Sequence, residues 1–549
     1  MLNRFNRRLK IGLIYLVIGG SIELGMLPVG SATPLRVREK RSGETTQQTR
    51  RRGDTETGRM EIPLHISFTT PLPLWGQAPD QLVEDNGSGE QSVEPTFVEE
   101  TTMKLAANQI SGISAEIDAY LQAHHEIGWF SGAVIVLQAD KTLFTRGYGM
   151  ASLEYQLPNT PQTRFRLGSV TKQFTAAAIL QLQDRGMLDV QAPISTYLPD
   201  YPHGERITIH HLLTHTAGIP NLTNFPDYTQ WMALATTLEE LIARFQDLPL
   251  EFEPGKEFRY SNSGYLLLTQ VIETVSGQSY GDYLKEHLLD PLGMENTGYE
   301  YPWAVIEALA NGYQFTDDGY LKAEYLNMSV PQGAGGLYST VEDLARWNQF
   351  LFDHGVGDEK ILSSEEIATM TSPTVAMNPD EAPHLFYGYG LVINKQPNQQ
   401  RIGHGGGING FVTNLVYYPD QDVSVAVLSN VETANIEGIS QDVAAIVFGE
   451  PYSKPTVSEV VKVDPSVYEG YIGTYQVEPE FEVTITTQGN QLRIQGTGQP
   501  AFNLYPTSET EFFVRVIDVG VVFNQGSDGT VESLTLVQNG QEIVAPRVD

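Results

Sequence analysis

Three short stretches of this 549-residue chain carry residues whose types and spacing can do chemistry. In Phe165-Arg166-Leu167-Gly168-Ser169-Val170-Thr171-Lys172-Gln173-Phe174, a helix starting at Ser169 puts the Ser169 hydroxyl and the Lys172 amine on one face, in contact. Such an amine can accept or relay the hydroxyl proton, and the helix N-terminus favours the negative charge that develops, so the pair can activate a serine nucleophile. In the stretch Glu253 to Gly264, an extended backbone points residues i and i+2 the same way and aims Tyr260 and Asn262 at a common site. The tyrosine can relay a proton and the asparagine can hold a substrate amide. In Arg401-Ile402-Gly403-His404-Gly405-Gly406-Gly407, glycines along a strand edge let a ligand backbone lie close. His404 adds a donor or partial positive charge, and a bare N–H beyond it can serve an oxyanion hole. Each stretch alone also has a purely structural reading: an exposed helix face, a turn capped by Ser263 before a helix from Tyr265 to Val275, and a glycine-rich bend.

Positioning these residues requires a sheet and helices, and the pattern supplies both. Ala106 to His124 has helical spacing, with Ile110, Ile113, Ile117, Tyr120 and Leu121 on one face. Ser131 to Gln138 and Thr142 to Gly149 read as two strands joined at Ala139-Asp140-Lys141. From Gly168 helices and long loops dominate to about Phe352. Strands return at Tyr387 to Asn394, Gln400 to His404, Gly410 to Tyr418 and Val423 to Asn430, followed by a helix to Phe448. Strands at both ends with helices between them predict one antiparallel sheet assembled from both termini. Beyond Glu450 the texture changes. Lys454-Pro455 opens a linker, and from Tyr468 onward no helix is expected. Alternating runs at Glu482 to Thr487, Gln491 to Gln495, Glu511 to Val516, Val519 to Asn524 and Val531 to Val537, separated by Gly and Asn turns, predict a small antiparallel barrel or sandwich.

Taken together, the three chemical stretches stand in the order and approximate spacing of a known family. The chain resembles the serine β-lactamase-related hydrolases: class C β-lactamases, D-alanyl-D-alanine carboxypeptidases, D-aminopeptidases and related esterases. Ile209-His210-His211-Leu212-Leu213-Thr214-His215-Thr216-Ala217-Gly218-Ile219 and the segment Gly335 to Leu344 are similar to that family's signature segments, and the resemblance spans roughly residues 105 to 450. It implies an α+β fold, a β-lactamase/transpeptidase-like antiparallel sheet with an inserted helical subdomain. It also implies an acyl-enzyme on Ser169, with Lys172 as proton acceptor or relay and Tyr260 passing the proton to the leaving group and later activating water. Asn262, His404 and Gly406 would bind substrate, and the backbone N–H groups of Ser169 and Gly407 would form the oxyanion hole. His404 stands where lactamases carry the lysine of a Lys-Thr-Gly triplet, and so would orient Tyr260 or a substrate carboxylate. His-x-Gly looks more like the carboxypeptidase, aminopeptidase and esterase branches than the class C lactamases. The stretch Tyr468 to Tyr475 and the strands after it resemble the lipocalin-like β domain appended to some of these hydrolases.

The implied substrates are small D-amino-acid peptides such as peptidoglycan stems, or esters, with no metal and no organic cofactor. The alternatives are a β-lactamase proper and a non-catalytic penicillin-recognising sensor or scaffold. The presence of Ser169, Lys172, Tyr260 and Asn262 together speaks against the sensor. His211 and His215 are four apart, as metal ligands on a helix can be, but no Glu follows His211, and the signature segment accounts for both. The sequence reads as holding no Gly-x-Ser-x-Gly elbow, which sets aside the α/β-hydrolase class.

Composition bounds the rest. A chain of this length is expected to hold two or more globular units. The absence of cysteine excludes thiol nucleophiles, disulfides and iron–sulfur clusters. The net charge of −33 argues against a nucleic-acid groove. That average hides an asymmetry: residues 1–60 hold 12 basic and 5 acidic residues, a balance of +7, which leaves −40 for the remainder. The basic start, an apolar run from Ile11 to Ile22 and the small residues Gly30-Ser31-Ala32 follow the order of a secretory signal. Membrane contact would come only through an uncleaved N-terminal signal-anchor. The expected organisation is therefore a signal peptide at 1–32, a disordered linker at 33–102, the hydrolase domain at 103–450, a linker at 451–466 and the barrel at 467–549, in a periplasmic or secreted protein.

Overall fold

The computed structural model describes residues 97–549 apart from 353–356, 358–359, 381, 398–399, 456–457, 479–480, 498, 500 and 539–540. The expected signal peptide and nearly all of the expected linker at 33–102 lie outside the described residues. Lys104–Asp549 falls in one compact unit.

Eight strands form the main sheet: β1 (Gly132–Gln138), β2 (Lys141–Tyr148), β3 (Val375–Asn378), β4 (Ala382–Tyr387), β5 (Val392–Asn394), β6 (Arg401–Ile408), β7 (Phe411–Tyr418) and β8 (Val423–Ser429). Their order is β3-β4-β5-β6-β7-β8-β1-β2, antiparallel throughout. The early pair β1–β2 thus joins the late strands through β1 and β8, with Gly132 opposite Ser429 and Gln138 opposite Val423. The sheet is indeed assembled from both ends of the domain.

Side-chain alternation explains why its central strands are apolar at almost every position. On β1, Ala133, Ile135 and Leu137 enter one core while Val134 and Val136 enter another. On β8, Ala426 and Leu428 face the first core, and Val423, Val425 and Val427 the second. The second core is closed by α1 (Phe97–Glu126), through Ile117, Tyr120 and Leu121, and by a C-terminal helix, Ile436–Phe448. The first core holds α2 (Thr171–Asp184), α3 (Asn262–Ser276) and α4 (Val341–Leu351). Helix α2 is buried from Thr171 to Leu182, which makes it the central support of the site.

Four sequence expectations need correction. The helix expected over Ala106 to His124 runs from Phe97 to Glu126, so it begins inside the expected linker at 33–102. Tyr387 to Asn394 is two strands, because Gly388 N–H donates to the Leu391 carbonyl and Gly390 turns the chain at φ +73°. A Cβ at Gly390 would lie 2.6 Å from the Lys172 carbonyl, so this turn packs directly on α2. Strand β3, whose Val-Ala-Met-Asn pattern carries little alternation, was not anticipated. The residues from Tyr468 also include the end of a short 3-10 helix, Pro465–Gly470.

The C-terminal part is a second sheet of eight antiparallel strands from Gly473 to Pro546, of which Gly473–Glu478, Ala501–Pro506 and Gln541–Pro546 were not read from the sequence. Its first and last strands meet at a bridge between Tyr475 and Arg547, which nearly closes a barrel. The interior is filled by aliphatic and aromatic side chains, among them Tyr475, Ile485, Leu492 and Leu534, all buried. The hairpin Tyr313–Thr316/Gly319–Lys322 of the larger domain reaches it, with Phe315 packed on the barrel core and Asp317 accepting a hydrogen bond from Tyr505 at 2.8 Å.

Candidate active site

Ser169 lies in a 3-10 turn, Gly168–Val170, that leads into α2. The turn is pinned from two sides: Leu167 N–H donates to the Leu337 carbonyl, and Thr413 Oγ1 on β7 donates to the Leu167 carbonyl, both at 2.8 Å. Gly168 takes φ +53°, and a Cβ there would meet the backbone N of Gly407 at 2.8 Å. Two glycines are therefore needed where the turn and β6 press together. A Cβ at Gly406 would lie 2.0 Å from the Leu167 carbonyl oxygen.

The spacing expected for Ser169 and Lys172 is realised in space, with Nζ and Oγ 3.1 Å apart. Tyr260 Oη donates to Ser169 Oγ at 2.9 Å. Lys172 Nζ also lies 2.8 Å from both Asn262 Oδ1 and the Ala334 carbonyl. The amine has no exposed surface, and burial pushes its pKa well below the ordinary lysine value. Two ring faces, those of Tyr260 at 4.8 Å and Tyr265 at 5.3 Å, favour the cation. No carboxylate pairs with it among the described residues, so desolvation by burial is the dominant influence and holds the amine's pKa below its ordinary value. The amine is in donor reach of three oxygens, Ser169 Oγ, Asn262 Oδ1 and the Ala334 carbonyl; only on losing a proton can it accept from the Ser169 hydroxyl while still donating to the other two.

Asn262 is the first residue of α3, whose N-cap is Ser261, and not Ser263 as the turn reading has it. Ser263 Oγ instead donates to the Pro220 carbonyl. The Asn262 amide donates to Thr223 Oγ1 at 3.2 Å, and its backbone N–H donates to Asn221 Oδ1 at 3.0 Å. Asn221 and Thr223 went unnoticed in the sequence, where nothing distinguishes them from other loop polar residues.

His404 is buried on β6. Its Nδ1 contacts the Gly405 carbonyl, so that nitrogen carries the proton and Nε2 accepts from Tyr387 Oη at 3.0 Å. Burial, then the nearby Lys172, lowers its pKa to about 4, which keeps it neutral near pH 7. Its ring centroid is 6.2 Å from that of Tyr260. Gly406 and Gly407 follow on the same strand, opposite Thr413 and Val412.

The paired histidines of the signature segment separate in role. His211 Nδ1 accepts from Thr208 N–H and completes a capping box, whereas His215 is buried beneath Tyr260. A Gly-x-Ser-x-Gly string does occur, Gly277-Gln278-Ser279-Tyr280-Gly281, contrary to the sequence reading. It is no nucleophile elbow: Gly277 is the left-handed C-cap of α3, and the exposed Ser279 caps a short helix and donates to Asp282.

This sheet-and-helix fold, with a serine, a lysine and a tyrosine within hydrogen-bonding distance, defines a serine hydrolase of the β-lactamase-related kind. The chain belongs to the Beta-lactamase family, whose model matches residues 117–446. A domain of unknown function, DUF3471, matches residues 458–545, the barrel region. The chain is 30% identical over 446 residues to penicillin-binding protein 4* of Bacillus subtilis, across 76% of this chain and 95% of that protein. It is 28% identical over 318 residues to the teichoic acid D-alanine hydrolase of Staphylococcus aureus, across 57% of this chain and 73% of that one. Among solved structures, the octameric penicillin-binding protein homologue from Pyrococcus abyssi superposes with a TM-score of 0.56 at 26% identity, covering 78% of this chain and 99% of its own.

Proposed function

We propose that this hydrolase cleaves amides or esters of D-amino acids through an acyl-enzyme on Ser169. The observation that carries the reading is the approach of both Tyr260 Oη, at 2.9 Å, and Lys172 Nζ, at 3.1 Å, to one serine oxygen. In acylation, Ser169 Oγ forms a bond to the substrate carbonyl carbon while its proton passes to the neutral Lys172 amine. The oxyanion is met by the N–H groups of Ser169 and Gly407. As the carbon–nitrogen or carbon–oxygen bond breaks, Tyr260 delivers a proton to the leaving group and recovers one from Lys172. Water then attacks the acyl carbon, gives its proton to the same pair, and frees the acid and Ser169.

The D-amino-acid substrate class is supported by the similarity to a teichoic acid D-alanine hydrolase and to penicillin-binding proteins. Asn262 has a second amide N–H, beyond the one given to Thr223, for a substrate carbonyl. His404 favours substrates with no free carboxylate next to the scissile bond, since both ring nitrogens are engaged and the ring is neutral near pH 7. Its contact with Tyr387 supports a role in fixing the wall behind Tyr260. Under the same reading, residues 1–32 export the protein and the stretch ahead of α1, 33–96, tethers a hydrolase domain and a barrel outside the cytoplasm. Among the described residues no helix is long and apolar enough to cross a membrane.

The test is incubation of the full chain with a D-alanyl nitroanilide and a D-alanyl ester, with intact-mass detection of the acyl adduct. Wild type is expected to gain the acyl mass on Ser169, and Ser169→Ala to show neither adduct nor fluorophosphonate labelling. Undiminished labelling of Ser169→Ala would sink the proposal.

A further inference from the structure

His215 combines backbone strain, burial and an unpartnered ring nitrogen. It adopts φ +58°, in the left-handed region that costs a non-glycine residue about 1–2 kcal/mol. It is buried, and its Nε2 has no hydrogen-bond partner. Its Nδ1 accepts from the Ser261 N–H at 3.2 Å, so the ring proton sits on that unpartnered Nε2. Local strain and an unsatisfied buried donor at one residue beside a reaction centre suggest that the position is held for function.

The contacts of His215 converge on Tyr260. Its own carbonyl accepts from the Arg259 N–H at 2.9 Å while its ring accepts from Ser261 N–H. One residue therefore takes the backbone donors on both sides of Tyr260. Its ring also lies under the Tyr260 ring, with centroids 4.2 Å apart and planes inclined at 39°. Tyr387, at 4.7 Å, and Tyr265, at 5.2 Å, pack around the same imidazole. Further hydrogen bonds extend the register, from Gly255 N–H to the Thr216 carbonyl and from Glu251 N–H to the Gly218 carbonyl, each at 2.8 Å. Segment 214–218 is thus a template along which residues 251–261 are laid.

We infer that His215 is a positioning residue that holds Tyr260 against Ser169, by fixing the backbone on both sides of it and backing its ring. The inference rests on the reading of Ser169 as nucleophile. His215 touches neither substrate nor reacting atoms. Phenylalanine would keep the ring contact and lose the acceptor for Ser261. Asparagine would keep an acceptor near the Nδ1 position and tolerate the left-handed backbone, but lose the ring.

The experiment is a double-mutant cycle in the full chain between His215 and Tyr260, read as separate acylation and deacylation rates with a D-alanyl ester. In the wild-type background, His215→Phe is expected to lower kcat on the order of 10- to 100-fold with KM nearly unchanged, as a displaced proton relay does. In the Tyr260→Phe background the same change is expected to cost less than about threefold, because the relay it positions is already gone. His215→Asn should recover part of the loss and serves as the second variant if His215→Phe does not fold. Full multiplicative losses in the double variant, or wild-type rates in His215→Phe, would overturn the inference. Turnover that survives Ser169→Ala would instead overturn the nucleophile reading.

Discussion

Replacing Lys172 with methionine keeps the unbranched stem and removes the amine. The structure sets two consequences against each other. Asn262 Oδ1 and the Ala334 carbonyl, each 2.8 Å from Nζ, lose their donor, at about 1–3 kcal/mol for each buried acceptor. The desolvation of a fully buried amine, a comparable or larger cost, is relieved at the same time. The expected net change in stability is within about 2 kcal/mol, a shift of a few degrees in Tm. Chemistry has no such compensation. Loss of a positioned proton acceptor lowers acylation by about 10²- to 10⁴-fold, or roughly 3–5 kcal/mol of barrier. Stopped-flow acylation with a chromogenic D-alanyl ester across pH 5 to 10 reads both the size of the loss and its cause. Because burial holds the Lys172 pKa below its ordinary value, wild type should retain a neutral amine, and hence its rate, as pH falls below the usual lysine range. Further acidification protonates Nζ and the rate declines. In Lys172→Met that acid limb disappears along with the rate. A loss of less than tenfold, or a wild-type limb that sits at the ordinary lysine pKa, would refute Lys172 as the proton acceptor.

Tyr260→Phe should slow leaving-group protonation and deacylation more than the first attack, so acyl-enzyme accumulates in mass spectra; equal slowing of every step contradicts the division of roles. Gly406→Ala places a Cβ 2.0 Å from the Leu167 carbonyl, forcing β6 off the Ser169 turn. The expected cost is about 1–3 kcal/mol of stability and about 10²-fold in kcat, measured by denaturant unfolding and steady-state kinetics. His124 is buried with neither ring nitrogen hydrogen-bonded, and burial lowers its pKa to about 4. The unfolded chain therefore binds the proton that the fold refuses, and stability is lost as pH falls from about 6.5 to about 4, by roughly 3 kcal/mol. His124→Phe should flatten that part of the unfolding profile; an unchanged slope between pH 6.5 and 4 counts against it.

The chain's local geometry was legible in its residues. Ser169 and Lys172 come into contact because a helical turn spaces i and i+3 side by side, whatever the rest of the chain does. The apolar runs on β1 and β8 announce strands buried on both faces, and the helical face of Ile117, Tyr120 and Leu121 marks α1. Alternation along an extended stretch aims Tyr260 and Asn262 at one site and the glycine run marks out His404; resemblance to the family gathers them into a single active site. Periodicity could not foresee what depends on distant segments meeting. Gly390 breaks an apparently continuous strand so that its turn can pack on Lys172. Asn262 and His404 take orientations set by Thr223 and Tyr387, which no spacing rule connects to them. His215 entered the sequence only as one of two histidines four apart, yet it binds the backbone on both sides of Tyr260. A side chain's position on its own turn follows from backbone geometry alone. The meeting of Ser169 with Tyr260, 91 residues later, follows from hydrogen bonds and burial that exist only once the helices close over the sheet.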